Sequence, residues 1–331
     1  MECHLSFRRY QRPFIKPLRT AHGEWSVREG FIVRVECDRM IGYGEVAPIP
    51  NFGTETLEAA ESYLQSLIDK VKLSTNTVVP DALPCCGFGI STACSGSALA
   101  SGRNYSVAAL LPAGRAALNV VTAKIRQGYT TFKWKIGVEP IAAEQATLKE
   151  LLQQLPSDAR IRLDANGGLA AETLEGWLNY LQNYRQQIDY LEQPLPVGHE
   201  DLMARYAKSS QVPIALDESL HGTGGIQWLE PRAWAWPLVI KPALMGERDA
   251  LVERLRPIAG QVVFSSVFET AIGLENALSI ADQLPELNRA IGFDTLESFS
   301  DDLMPLGSSS VLNATDRSGV NFADIWERLV H

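Results

Sequence analysis

The feature that most limits what this chain can become is a rhythm. From about Tyr105 onward, short apolar runs alternate with helical faces in units of about 25–30 residues. The candidate strands are Ser106–Leu111, Thr131–Ile136, Arg160–Asp164, Ile188–Glu192, Ile214–Asp217, Leu238–Lys241, Val262–Ser265 and, with the weakest pattern, Ala290–Phe293. Between them Leu148, Leu151, Leu152 and Leu155 form one helical face, and Leu174, Trp177, Leu178, Leu181 and Tyr184 another. Eight such units predict an α/β fold, a (β/α)8 TIM-type barrel or a modified form of it, because parallel strands need crossover helices outside them. A doubly wound open sheet is the competitor. Neither G-x-G-x-x-G nor G-x-x-x-x-G-K-[ST] follows an early strand, so nucleotide-binding versions of that sheet lose support.

The first 100 residues keep a different rhythm. Phe31, Val33, Val35 and Cys37 alternate with Ile32, Arg34, Glu36 and Asp38, the period of a strand. Asp38-Arg39-Met40 reads as a turn and IGYGEVAP as a second strand, which Pro48, Pro50 and Gly53 then break. Thr54 is a candidate helix N-cap. Leu57, Ala60, Leu64, Leu67, Ile68 and Val71 follow at helical spacing, with Glu55 and Glu58 in the first turn. The polar stretch from Leu73 to Pro84 reads as a surface connection. The region is a meander followed by helices.

Composition narrows the function. Lys+Arg 30 against Asp+Glu 39 gives −9 over 331 residues, without the basic footprint of a nucleic-acid binder. No apolar run is long enough for a membrane span, and the N-terminus lacks an apolar signal core. The expected partner is therefore a small molecule, with no nucleic acid and no membrane; the oligomeric state stays open. Cys3, Cys37, Cys85, Cys86 and Cys94 are too sparse for a disulfide framework, and no nearby His completes a zinc site. They are expected as buried or partly buried free thiols in a reducing, cytoplasmic protein.

What ends each strand is unusual. Apolar runs give way to Lys133-Trp134-Lys135, Asp164, Glu192, Asp217, Lys241 and Ser265-Ser266. Barrel active sites lie at these strand ends. Asp164, Glu192 and Asp217, separated by 28 and 25 residues, would converge from three adjacent strands. Singly, each reads as a helix cap or a salt-bridged loop acid. Together, three carboxylates repel unless a cation relieves them, and oxygen ligands suit a hard divalent ion such as Mg²⁺. Lys133 and Lys135 share one strand face, so mutual repulsion would lower the pKa of one toward that of a general base. Their plainer readings are a solvated basic edge or a lysine pairing a carboxylate. Lys241 would approach from across the barrel, or form a structural ion pair. Trp134 should point outward into the helix layer, and Trp228–Trp236 reads as core packing. His199 and His221 carry no assigned role.

The set K-x-K, D-x-N, L-E-Q-P, D-E-S and I-K-P, in that order, resembles the enolase superfamily, muconate lactonizing enzyme subgroup, over nearly the whole chain. GYGEVAPIPNF (42–52) and SSVFETAIG (265–273) resemble the cap and seventh-strand segments of the branch that forms 2-succinylbenzoate in menaquinone and phylloquinone biosynthesis. The resemblance implies an N-terminal α+β capping domain over 1–104, completed by about 305–331, on a barrel over 105–304 whose eighth strand is short or absent. It implies Mg²⁺ on Asp164, Glu192 and Asp217, with Asn166 and Glu218 behind them. Lys135 would be the base, Lys133 its tuning partner and Lys241 the lysine on the opposite face. Loops Leu18–Glu24 and Pro48–Phe52 would close over a dianionic substrate touched by Ser265, Ser266 and Arg19. The implied chemistry is proton abstraction α to a carboxylate through an ene-diolate, then dehydration.

Rival readings are an N-succinylamino acid racemase, a dipeptide epimerase or a muconate-type cycloisomerase on the same scaffold, a Schiff-base aldolase using Lys241, and a non-catalytic barrel that only binds. Some racemising relatives carry Arg three residues after the sixth-strand lysine. Leu244 stands there, which favours a dedicated dehydratase. Dipeptide epimerases hold the substrate ammonium with an acidic pair near the eighth strand, where this chain offers Asp294 and Glu297.

Overall fold

The N-terminal meander is longer than the alternation predicts. In a computed structural model that describes residues 2–20, 23–37, 40–68, 73–74, 78–96, 103–222, 224–285 and 287–329, it opens with β1 (Glu2–Thr20), β2 (Gly23–Cys37) and β3 (Met40–Val46). With β4 (Leu73–Ser74) these make an antiparallel sheet of order β3-β2-β1-β4. Sequence patterning misses β1 because Pro13 and Pro17 interrupt it. Pro13 opens the register shift that runs to Leu18 and Pro17 lies within it, where prolines remove ladder donors. The Asp38-Arg39 turn and Val71 lie outside the described residues.

Two expectations fail here. Cys3 and Cys37 are disulfide-bonded, not free thiols. They face each other directly across β1 and β2, a pairing that becomes visible only once that register is known. Cys85 and Cys86 are buried free thiols as expected, and Cys94 is partly buried. Thr54 does not cap α1 (Leu57–Ile68). The Thr56 hydroxyl accepts from Ala59 N, while Thr54 Oγ1 accepts from Ile49 N and tightens the preceding loop. Glu55 serves the next helix, α2 (Pro84–Cys94). Its carboxylate accepts from Cys85 N and Cys86 N, where the helix dipole favours an anion.

The barrel begins after a short ribbon. β5 (Tyr105–Ser106) splits from the predicted first strand and pairs antiparallel with β13 (Val311–Leu312), which leaves β6 (Ala109–Leu111) to open the barrel. Then come α3 (Ala117–Arg126), β7 (Thr131–Lys135), α4 (Ile141–Gln154), β8 (Arg160–Asp164), α5 (Ala171–Leu181), β9 (Ile188–Glu192), α6 (Glu200–Ser210), β10 (Ile214–Ala215), β11 (Leu238–Ile240), α7 (Arg248–Leu255), β12 (Val262–Phe264) and α8 (Ala271–Ala281). β6 through β10 form one parallel run, and β11 and β12 a parallel pair. A bridge from Leu216 to Leu238 joins the two groups. The eighth position, around Ala290–Phe293, forms no regular strand. Ile291 bridges Val107 and Gly292 bridges Ser265, and these two contacts close the ring. The architecture is a modified (β/α)8 barrel under an α+β cap.

Beyond β13, α9 (Ala314–Ser318) docks on α8 through Arg317, whose guanidinium meets both oxygens of Glu275 at 2.8 and 3.1 Å. α10 (Phe322–Arg328) reaches the cap sheet. The Arg8 guanidinium donates to Trp326 O and lies 4.4 Å from the Trp326 ring. No helix among the described residues is long and apolar enough to cross a membrane. Trp134 is fully buried between Lys133 and Lys135, on the opposite strand face. Trp228, Trp234 and Trp236 pack edge to face in series.

Candidate active site

Parallel pairing sets the carboxylates level. Lys135 lies opposite Asp164, Asp164 opposite Glu192, and Ala215 opposite Glu192, so neighbouring strands end in register and Asp217 follows two residues on. Asp164, Glu192 and Asp217 are 7, 0 and 1% exposed. Lys133 Nζ sits 2.7 Å from both Asp164 and Glu192, and Lys241 Nζ 2.6 Å from both oxygens of Asp217. Lys135 lines the cavity above and, among the described residues, has neither a hydrogen bond nor an ion pair.

The charges order the roles. Burial opposes the Lys133 charge, but Asp164, Glu192 and Asp217 outweigh it and hold its pKa well above the ordinary value. Lys133 is therefore held as a cation between the acids. Burial and the neighbouring Asp164 also raise Glu192, well above the carboxylate range. Asp217 is buried as deeply, yet Lys241 holds it ionised, below the usual range.

Among the described residues, no three His, Cys, Asp or Glu side chains close into a metal cage, because lysine ammonium groups stand between the acids. The donor set nonetheless fits a hard divalent cation. Three buried carboxylates end adjacent strands, and Glu192 Oε2 is buried without any hydrogen-bond partner. Behind them Asn166 N donates to Asp164, and Asn166 Nδ2 donates to Glu218 at 3.3 Å. Burial, with Asp217 beside it, pushes Glu218 up to about 7.

Several residues here escape sequence reading. Gln193, fully buried, accepts from Asp217 N and Ser219 N and donates to Leu195 O and Ser219 Oγ, tying the fourth strand end to the fifth. Its place in L-E-Q-P was the available signal. His221 Nε2 stands 3.4 Å from Asp217, and Phe52 covers both His221 and Lys241, with the Lys241 Nζ 4.4 Å from its ring. His199 instead occupies the N-cap position of α6, without a capping hydrogen bond from its side chain.

The cavity is about 720 Å³, with Leu18, Trp25, Phe52 and Phe268 among its cap-side walls. Both predicted cap segments reach it, although residues 21–22 and the Arg19 side chain lie outside the described residues. The Pro48–Phe52 segment is pinned: Arg28 donates to Ala47 O and Pro48 O, and Gly53 meets Gly222 backbone to backbone. The two serines differ. Ser266 gives its proton to Glu269 and accepts from Phe268 N and Thr295 Oγ1, so its hydroxyl is spent on the loop. Ser265 has no hydrogen bond from its hydroxyl among the described residues and lines the cavity.

Comparison with known proteins places this geometry. The family described as "Enolase C-terminal domain-like" matches residues 116–232, and "MenC, N-terminal domain" matches 4–96. An o-succinylbenzoate synthase from Thermosynechococcus vestitus is 39% identical over 80% of this chain and 84% of its own length. The crystal structure of o-succinylbenzoate synthase from Thermosynechococcus elongatus, complexed with Mg in its active site, is 36% identical. It superposes with a TM-score of 0.84 over 98% of this chain and all of that one. The L-Ala-D/L-Glu epimerase of Bacillus subtilis, 20% identical with a TM-score of 0.75 over 95% of this chain and 96% of its own, shares the fold.

Proposed function

The chain belongs to the o-succinylbenzoate synthases of the enolase superfamily and is a carbon–oxygen lyase, and from that premise we propose the following chemistry. It dehydrates 2-succinyl-6-hydroxy-2,4-cyclohexadiene-1-carboxylate to 2-succinylbenzoate. Asp164, Glu192 and Asp217 would hold Mg²⁺, which when bound supplies Lewis-acid neutralisation of the substrate carboxylate. Lys135, in its neutral form, takes the proton α to that carboxylate. The developing ene-diolate faces the Lys241 ammonium, held beneath Phe52. The Lys135 ammonium then protonates the departing hydroxyl on the same face. One C–H and one C–O bond break, water leaves and the ring becomes aromatic. Lys133 stays charged between Asp164 and Glu192 and keeps the strand ends together.

The observation that carries this reading is the division among three lysines. Lys133 and Lys241 are spent on carboxylates, while Lys135, two residues from Lys133, faces the cavity unpaired. An ultraviolet assay of 2-succinylbenzoate formation, with and without Mg²⁺ and with Lys135→Ala in parallel, tests it. Turnover that survives Lys135→Ala means another base acts.

Dipeptide epimerisation is disfavoured by Asp294. Its carboxylate already accepts from Lys124 Nζ at 2.6 Å, Tyr129 OH at 2.8 Å and Leu110 N at 2.9 Å, so its charge is neutralised by Lys124 instead of being held for a substrate ammonium. We place the cap at 1–104 with 305–331, the barrel at 105–304, and the enzyme in the cytoplasm. Three free cysteines suit that compartment and the Cys3–Cys37 bond does not. Thiol titration of freshly isolated protein decides: five free thiols support the cytoplasm and three oppose it.

A further inference from the structure

Among the described residues, four arginines are at most 2% exposed: Arg12, Arg28, Arg162 and Arg317. Three obey the rule that a buried charge is paired. Arg12 meets Asp301, Arg162 meets Asp189 and Arg317 meets Glu275, each at 2.8 Å. Arg28 breaks it. Its guanidinium donates to four backbone carbonyls, Val267 O at 3.1 Å, Glu29 O at 3.2 Å, Pro48 O at 2.9 Å and Ala47 O at 2.6 Å, and is in no ion pair among the described residues. Carbonyl dipoles soften a unit charge without cancelling it. One of the five guanidinium N–H groups is left over.

The neighbouring acids are engaged elsewhere. The Glu29 carboxylate takes Arg9 at 3.0 Å and Gln11 at 2.7 Å. Glu45 takes Tyr10, Thr270 and Gly273. What Arg28 does face is the cavity, whose wall it forms together with the Trp25 ring, 5.5 Å from its Cζ. A buried cation in the wall of a ligand cavity, with no ion-pair partner among the described residues, is suited to an anionic ligand.

We propose that Arg28 is a specificity-determining residue that recognises a second, remote carboxylate on the substrate. The inference rests on the dianionic substrate proposed above and assigns its two ends. One carboxylate goes to the acid–lysine cluster at the strand ends. The other is drawn toward the cap wall at Arg28. Three of these four carbonyl contacts join the cap loop at 47–48 to the barrel loop at 267, so the guanidinium is held still before any ligand arrives.

The test is calorimetric titration, in Mg²⁺-containing buffer, with two ligands of one shape. 2-Succinylbenzoate carries the remote carboxylate; 2-butanoylbenzoate has a methyl group in its place. Wild type is expected to prefer the first at least 10-fold. Arg28→Gln and Arg28→Met should lose that preference while binding 2-butanoylbenzoate within about 3-fold of wild type, and Arg28→Lys should keep part of it. Because the preference is a ratio, partial loosening of the fold does not mimic the result. A preference absent in wild type, or one unchanged in the variants because both ligands weaken equally or not at all, overturns the assignment. Wild type that binds neither ligand instead removes the synthase reading on which it rests.

Discussion

Replacing Glu45 is the sharpest test of how the cap is fixed to the barrel. This β3 carboxylate is 0% exposed. One oxygen accepts from Tyr10 OH at 2.6 Å. The other accepts from Thr270 N at 2.8 Å, Gly273 N at 3.1 Å and the Thr270 hydroxyl, all at the start of α8. Glu45→Gln keeps the shape and can keep three of the four bonds, with Tyr10 turning to accept. It loses the charge assistance, on the order of 1 kcal/mol for each of two or three bonds, and about 1 kcal/mol of helix-terminus attraction. Relief from burying a carboxylate offsets part of this. The expected net loss is about 2–3 kcal/mol. Glu45→Ala strands four donors and opens a cavity, so it should cost at least about 4 kcal/mol.

Gly273 supplies an independent route to the same contact. A Cβ there would lie 2.4 Å from the Glu45 carboxylate oxygen, so Gly273→Ala must expel it. Urea unfolding of the two single variants and of Gly273→Ala/Glu45→Ala gives the coupling. The glycine change should be costly in wild type and at least about 2 kcal/mol cheaper once the carboxylate is gone. Additive costs, or a Glu45→Gln variant within 0.5 kcal/mol or so of wild type, would falsify the claim that this carboxylate ties the two parts together.

Three further outcomes are expected. Lys135→Ala should lower kcat by at least about 10³-fold with little change in Tm, since the side chain has no partner among the described residues; a loss below 10-fold or so removes it as the base. Burial pushes Glu269 up to about 7 from 4.5. The folded protein then binds more protons than the unfolded chain between those values, so this group's stabilisation is complete at low pH and is lost as pH rises through about 7, on the order of 3 kcal/mol in all. Glu269→Gln should therefore show a smaller fall in Tm from pH 5 to pH 8 than wild type, and an equal fall refutes the assignment. Gly53 has φ 80°, and a Cβ there would meet Gly222 Cα at 2.8 Å; Gly53→Val should displace Phe52 from Lys241 and lower kcat/KM by 10-fold or so, and unchanged kinetics would show that this contact is not needed.

The acids and lysines at the strand ends were legible because a charge directly after an apolar run has few ordinary explanations. Strand parity then placed Lys133 and Lys135 on one face and Trp134 on the other. What the linear pattern hid depends on contacts between distant segments. Glu55 resembles a first-turn acid of α1 but caps α2, about 30 residues on. Arg28 and Glu45 read as alternating positions in a sheet; their partners are Val267 and Thr270, more than 200 residues away. The Cys3–Cys37 pair needs the register of β1, which Pro13 and Pro17 disguise. Ser265 and Ser266 look equivalent in sequence, and only the loop hydrogen bonds separate them.

The contact between Arg8 and Trp326 spans 318 residues. During synthesis β1 is made about 300 residues before the helix that covers this part of it. The cap sheet must therefore wait, with part of its surface open, while the barrel forms around the growing chain. Its aggregation risk is greatest before α10 is made, and helpers that shield apolar strands early should raise the yield of active enzyme more than stabilising the finished barrel.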